Sequence, residues 1–104
     1  MHPAIAEKRQ SLAALCRRFG VQRLEVFGSA ARGADFDARR SDADFLVSFS
    51  PQANDLLGFI DFKEALEAVV GCRVDLVDRG AVEASRNYIR RRSILAEAEP
   101  IYGP

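Results

Sequence analysis

Several residue types are scarce in this chain, and each scarcity removes a class of function. His2 is the only histidine among 104 residues, and tryptophan is absent. A Ser-His-Asp or Cys-His nucleophilic site is therefore not expected. Cys16 and Cys72 are the only cysteines, with no zinc-ligand spacing around them. Both read as small core residues of a protein kept in a reducing compartment, so the cytoplasm is the expected location. No signal peptide is recognisable, and no apolar run is long enough to cross a membrane. Net charge is lacking as well: fifteen basic residues balance fifteen acidic ones. Direct nucleic-acid binding, which draws on a basic surplus, is not expected. A nucleotide remains possible, because it needs only a local cationic cluster.

What is present fits one small domain spanning residues 1–104. Residues 3–19 read as a helix, with Ile5, Leu12, Leu15, Cys16 and Phe19 at helical spacing and Gly20 as the stop. Val21–Phe27 reads as a strand, Ser29–Gly33 as a short helical turn and 34–41 as a polar loop. Ala43–Phe49 is the strongest strand signal. Asp55–Val70 reads as a helix with Leu56, Phe59, Ile60, Leu66 and Val70 inward, Asn54 as N-cap and Gly71 as the stop. Arg73–Val77 is a third strand, 81–98 mostly helix and Glu99–Tyr102 a short edge strand. This order predicts an α/β (α+β) fold, a small mixed sheet with helices packed on it. The second and third strands, joined through a helix, can run parallel.

The segment Gly28–Asp44, GSAARGADFDARRSDAD, carries the chemistry. Gly28 permits an unusual turn and close backbone approach to a ligand. Ser29 offers a hydroxyl and the following turn offers backbone N–H groups to an anion. Arg32, one helical turn on, can reach the same phosphate. Asp42 and Asp44 alternate with Ala43 and Phe45, so both carboxylates point to one side of the strand. Paired carboxylates repel unless a cation lies between them, and hard oxygen donors suit Mg²⁺ or Mn²⁺. Asp75, flanked by Val74 and Leu76, can join them if the second and third strands are neighbours. Three such carboxylates fit metal-assisted phosphoryl transfer. The second Asp-x-Asp, Asp35 and Asp37, lies in a polar loop and reads as solvated.

Gly28-Ser29, Arg32-Gly33, Ser41-Asp42-x-Asp44 and Val74-Asp75-Leu76-Val77 resemble the minimal nucleotidyltransferases of the DNA polymerase beta superfamily. The small size resembles the MNT branch, the antitoxins of HEPN/MNT toxin–antitoxin pairs. The resemblance implies that Asp42, Asp44 and Asp75 bind Mg²⁺ and that Asp75 orients or deprotonates the attacking hydroxyl. It implies that Gly28 and Ser29 hold the triphosphate of ATP, with Arg32 as a phosphate contact. The implied reaction moves AMP to a tyrosine of the partner HEPN toxin, an RNase, within a hetero-oligomer. The chain departs from the family in one place: twelve residues, Ala30 to Ser41, separate Ser29 from Asp42, two more than is usual. Surface loops absorb such insertions at little thermodynamic cost.

Length points the same way. Three strands and their helices use up the chain, leaving no pocket-forming domain for a small acceptor, so the acceptor is expected to be a macromolecule. Arg90, Arg91 and Arg92 read as a solvated face, or alternatively as a contact for a partner or for the triphosphate. Tyr88 and Tyr102 read as packing residues. The competing expectation is a non-catalytic antitoxin, a binding module that covers its toxin.

Overall fold

The computed structural model describes residues 1–37 and 39–103. Ala38, inside the expected loop 34–41, lies outside them. Four strands form one sheet in the order β3-β2-β1-β4. These are β1 (Val21–Phe27), β2 (Ala43–Phe49), β3 (Val74–Asp78) and β4 (Glu99–Tyr102). β1 runs antiparallel to both β2 and β4, whereas β2 and β3 are parallel. The fold is thus the mixed sheet expected, and the parallel pair is the one joined by a helix.

Strand alternation gives the sheet two covered faces. Leu24, Val26, Phe45, Val47, Val74 and Leu76 belong to the larger core, together with Leu12 and Cys16 of α2 (Arg9–Phe19) and Phe62 and Leu66 of α4 (Leu56–Val70). The opposite face carries Phe27 and Leu46, which pack on Val82 of α5 (Arg79–Glu83) and Ile94 of α6 (Tyr88–Glu97). Glu25 lies between Leu24 and Val26 and is almost wholly buried. Arg79 donates to it from the start of α5, and Arg23 donates from Nη2 at 3.4 Å, with its Nε 3.2 Å from the carboxylate. A buried carboxylate needs such partners.

The helices depart from expectation in three places. The span 3–19 is two helices, α1 (Pro3–Ala6) and α2, broken at Glu7 and Lys8. The residues before α1 are held in place. The terminal amine pairs with Glu99 at 3.2 Å, and the His2 N–H donates to the Ala30 carbonyl at 2.7 Å. His2 is therefore ordered: its Nδ1 caps α1 through the Ala4 N–H, and its ring lies against Phe36. Residues 79–97 likewise split into α5, capped by Asp78, and α6, capped by Asn87. In α4 the cap is Asp55, which accepts from the Gly58 N–H at 2.7 Å, and not Asn54. Leu56 and Ile60 are exposed instead of inward, whereas Phe62, Leu66 and Val70 are buried. Phe59 of the first turn packs on Phe49, while Leu56 and Ile60 point away from the core.

Candidate active site

The site is assembled where β1 ends and where β2 and β3 begin. β1 runs directly into α3 (Gly28–Arg32), and the junction is at Gly28. Gly28 has φ +67°, a left-handed conformation that side chains resist. A Cβ there would also run into the Asp44 carboxylate. The glycine is required twice, once by its own backbone and once by the acid beside it.

Asp44 lies on β2 and is paired in register with Asp75 on β3, with Asp42 one residue before β2 begins. Parallel pairing thus brings together carboxylates that are thirty-one residues apart in the chain. Asp42 and Asp75 are exposed, and Asp44 is half-buried. Burial raises the Asp44 carboxyl first, and repulsion from Asp75 and then Asp42 adds to it. Arg32 and Arg90 offset part of the rise, and the group is pushed up to about 6. Among the described residues no three carboxylate, His or Cys side chains converge closely enough to cage an ion unaided. The donors are nonetheless all carboxylate oxygens, and their mutual repulsion is of the kind that a hard divalent cation relieves.

Arg32 does not stand free over the turn. It pairs with Asp35 at 2.9 Å and with Glu97 of α6 at 2.7 Å. The hydrogen bond from Arg32 holds the Asp35 carboxyl below its usual range. Asp35 is therefore ion-paired, not merely solvated. Ser29 is half-buried on the first turn of α3. Beyond the expected residues, a recess of about 260 Å³ joins Asp42 and Asp75 to Lys63, Glu67 and Arg73. Lys63 and Glu67 gave no sequence signal, because each reads as a plain polar position of an amphipathic helix, yet both are half-buried and Glu67 accepts from the Val74 N–H at 2.9 Å. Arg90 carried only a charge-run signal, yet its field reaches Asp44.

A nucleotidyltransferase domain model matches residues 8–99, nearly the whole chain. The chain belongs to that family. This nucleotidyltransferase is 45% identical over 71 residues to the protein adenylyltransferase MntA of Thermococcus cleftensis, covering 67% of this chain and 68% of that one. It is also similar to the solved structure of a candidate minimal nucleotidyltransferase, with TM-score 0.74, 36% identity and 96% of each chain covered. A chain from the complex of tri-AMPylated Shewanella oneidensis HEPN toxin with MNT antitoxin matches with TM-score 0.63 over 95% of this chain and 72% of that one. At 17% identity that last likeness speaks for the fold alone. No helix among the described residues is long and apolar enough to cross a membrane.

Proposed function

We propose that residues 1–104 form one nucleotidyltransferase domain that transfers AMP from ATP to a tyrosine hydroxyl of a partner HEPN toxin in the cytoplasm. The enzyme acts as the antitoxin of a hetero-oligomeric pair. The observation that carries this reading is the in-register pairing of Asp44 with Asp75 beside the Gly28 turn. The likeness to a relative named a protein adenylyltransferase supports the acceptor class.

Asp42, Asp44 and Asp75 would hold Mg²⁺, which when bound supplies positive charge to the transferring phosphate. Gly28 and Ser29 seat the triphosphate at the start of α3. Arg32 joins them by exchanging Asp35 and Glu97 for a phosphate oxygen. Asp75, exposed at the edge of the sheet, orients the acceptor hydroxyl and takes its proton. The hydroxyl oxygen bonds to the α-phosphorus, the bond to the bridging oxygen breaks, and pyrophosphate leaves.

Incubation of the protein with the adjacent gene's product and ATP labelled at the α-phosphate tests this reading. Label on the partner is expected, and Asp42→Ala is expected to abolish both labelling and protection of cells from the toxin. A second reading, a non-catalytic antitoxin that acts by covering its toxin, is favoured by the open arrangement of the carboxylates and by the prior engagement of Arg32. Under that reading Asp42→Ala would go on protecting.

A further inference from the structure

Lys8 and Lys63 are the only lysines among fifteen basic residues. Lys8 is exposed, just before α2. Lys63 is half-buried on α4, one turn before Glu67. It lines the recess of about 260 Å³ together with Asp42, Glu67, Arg73, Val74 and Asp75. Glu67 has a structural task there, accepting from the Val74 N–H at 2.9 Å and tying α4 to β3. Lys63 has none: among the described residues it makes no hydrogen bond and no ion pair, although three carboxylates border the same space. The fold sets a compact positive charge beside Asp42 and Asp75 and makes no use of it.

The place of the recess in the sheet gives that charge a role. Phe27 pairs with Asp44, and Asp44 pairs with Asp75, so one row runs from the Gly28 turn through Asp44 to Asp75. The turn and Asp75 therefore lie on opposite sides of Asp44, two strand spacings or roughly 10 Å apart. β3 is an edge strand, and the recess opens on it. Phosphoryl transfer sets the attacking and leaving oxygens roughly in line, on opposite sides of the phosphorus. With the leaving pyrophosphate at Gly28 and Ser29, the attacking oxygen comes from the side of Asp75 and the recess. The volume agrees. It falls below the roughly 300–1,000 Å³ of pockets that enclose a drug-sized ligand, so it has room for a side chain and not for ATP.

We propose that this recess seats the acceptor's phenol side chain and that the Lys63 ammonium holds its oxygen. The inference rests on the reading that the protein moves AMP to a tyrosine of a partner. Lys63 keeps its own protons throughout. The phenol proton goes to Asp75, the oxygen bonds to the α-phosphorus, and the ammonium stabilises the negative charge that builds on the oxygen as the proton leaves. Because this charge is largest in the transition state, the contact acts on the rate of transfer more than on the binding of either substrate.

Two measurements on the protein with the adjacent gene's product test this. In transfer assays, Lys63→Met is expected to lower kcat about a hundredfold, as loss of one oxyanion donor does. Its KM for ATP and its affinity for a non-hydrolysable ATP analogue should stay within about twofold of wild type, and Lys8→Met should match wild type throughout. Replacing the partner's tyrosines by fluorotyrosine, a more acidic phenol, should shrink the Lys63→Met loss, because the oxygen then bears charge with less help. A loss of the same size with either phenol would make Lys63 a structural prop and overturn the proposal. So would an unchanged kcat, or a loss of ATP-analogue affinity, which would assign Lys63 to the nucleotide. The second measurement is acetylation by acetic anhydride, read by mass, with Lys8 as internal reference. The bound partner should protect Lys63 at least about fivefold, and the ATP analogue alone should not. This footprint needs no transfer. Absence of AMP on the partner therefore counts against the enzymatic reading, whereas a Lys63 as reactive in the complex as in the free protein overturns the acceptor recess.

Discussion

Asp44 is the residue at which folding and chemistry pull in opposite directions. Its carboxyl is pushed from an ordinary 3.8 up to about 6, by burial first and then by Asp75 and Asp42. Between those values the folded protein binds more protons than the unfolded chain, so stability falls as pH rises through the window. Above about 6 the penalty is fully present. Asp44→Asn removes it. Without divalent cation at pH 7, the Asn variant is expected to be more stable than wild type by about 1 kcal/mol, after discounting for half-exposure. At pH 4 the two should converge, which denaturant midpoints across the pH range would check. Added Mg²⁺ should raise the wild-type melting temperature and leave Asp44→Asn nearly unmoved. Gly28→Ala meets the same acid from the other side. It puts a Cβ against the Asp44 carboxylate at positive φ, and a loss of stability of about 1–2 kcal/mol is expected, read by thermal melting. Sequence alone singled out Gly28, Asp42, Asp44 and Asp75, because a turn, a carboxylate pair and a polar residue in an apolar strand are each visible locally. The double engagement of Arg32 was not visible, since Glu97 is sixty-five residues away from it.

At the scale of elements, the strands and their pairing were legible, and the helix ends were less so. Val21–Phe27 and Ala43–Phe49 match their expected bounds, and Val74–Asp78 is shifted by one residue. Apolar density marks strands buried on both faces, and here both faces are covered. Helices failed where tertiary contacts decide. The contacts of Met1 and His2 with β4 and α3 join residues far apart in the chain, which no local pattern contains. Leu56 and Ile60 lie four residues apart on the side of α4 that faces away from Phe59 and Phe62, which a run of apolar residues does not distinguish. The cap of α4 shows how narrow the local margin is. Asn54 and Asp55 are both good capping residues, and only the 2.7 Å bond to the Gly58 N–H decides between them. Asp55→Ala is expected to cost about 1 kcal/mol, whereas Asn54→Ala should cost little; urea midpoints of the two variants would check this.

Across the whole molecule, one buried charge ties together the sheet face that carries the carboxylates. Glu25 of β1 holds Arg79 at the start of α5, so the helices that cover Phe27 and Leu46 are pinned to the sheet. Arg23 stays beside Glu25 when Arg79 is removed, so Arg79→Ala is expected to cost about 1–2 kcal/mol, less than a fully stranded buried charge would. Replacing both by leucine should cost less than that single change, a contrast that a double-mutant cycle reads directly. The same architecture gives the site its order. A turn after β1, a carboxylate pair opening β2 and a third carboxylate on β3 meet because β2 neighbours both β1 and β3. The strand order joins what the loop from Ala30 to Ser41 separates. The most direct test of the account is the intact mass of the adjacent gene's product after incubation with this protein, ATP and Mg²⁺. The account predicts a mass gain of one or more AMP groups that is absent with Asp42→Ala. An unmodified mass under conditions where the two proteins bind would contradict it.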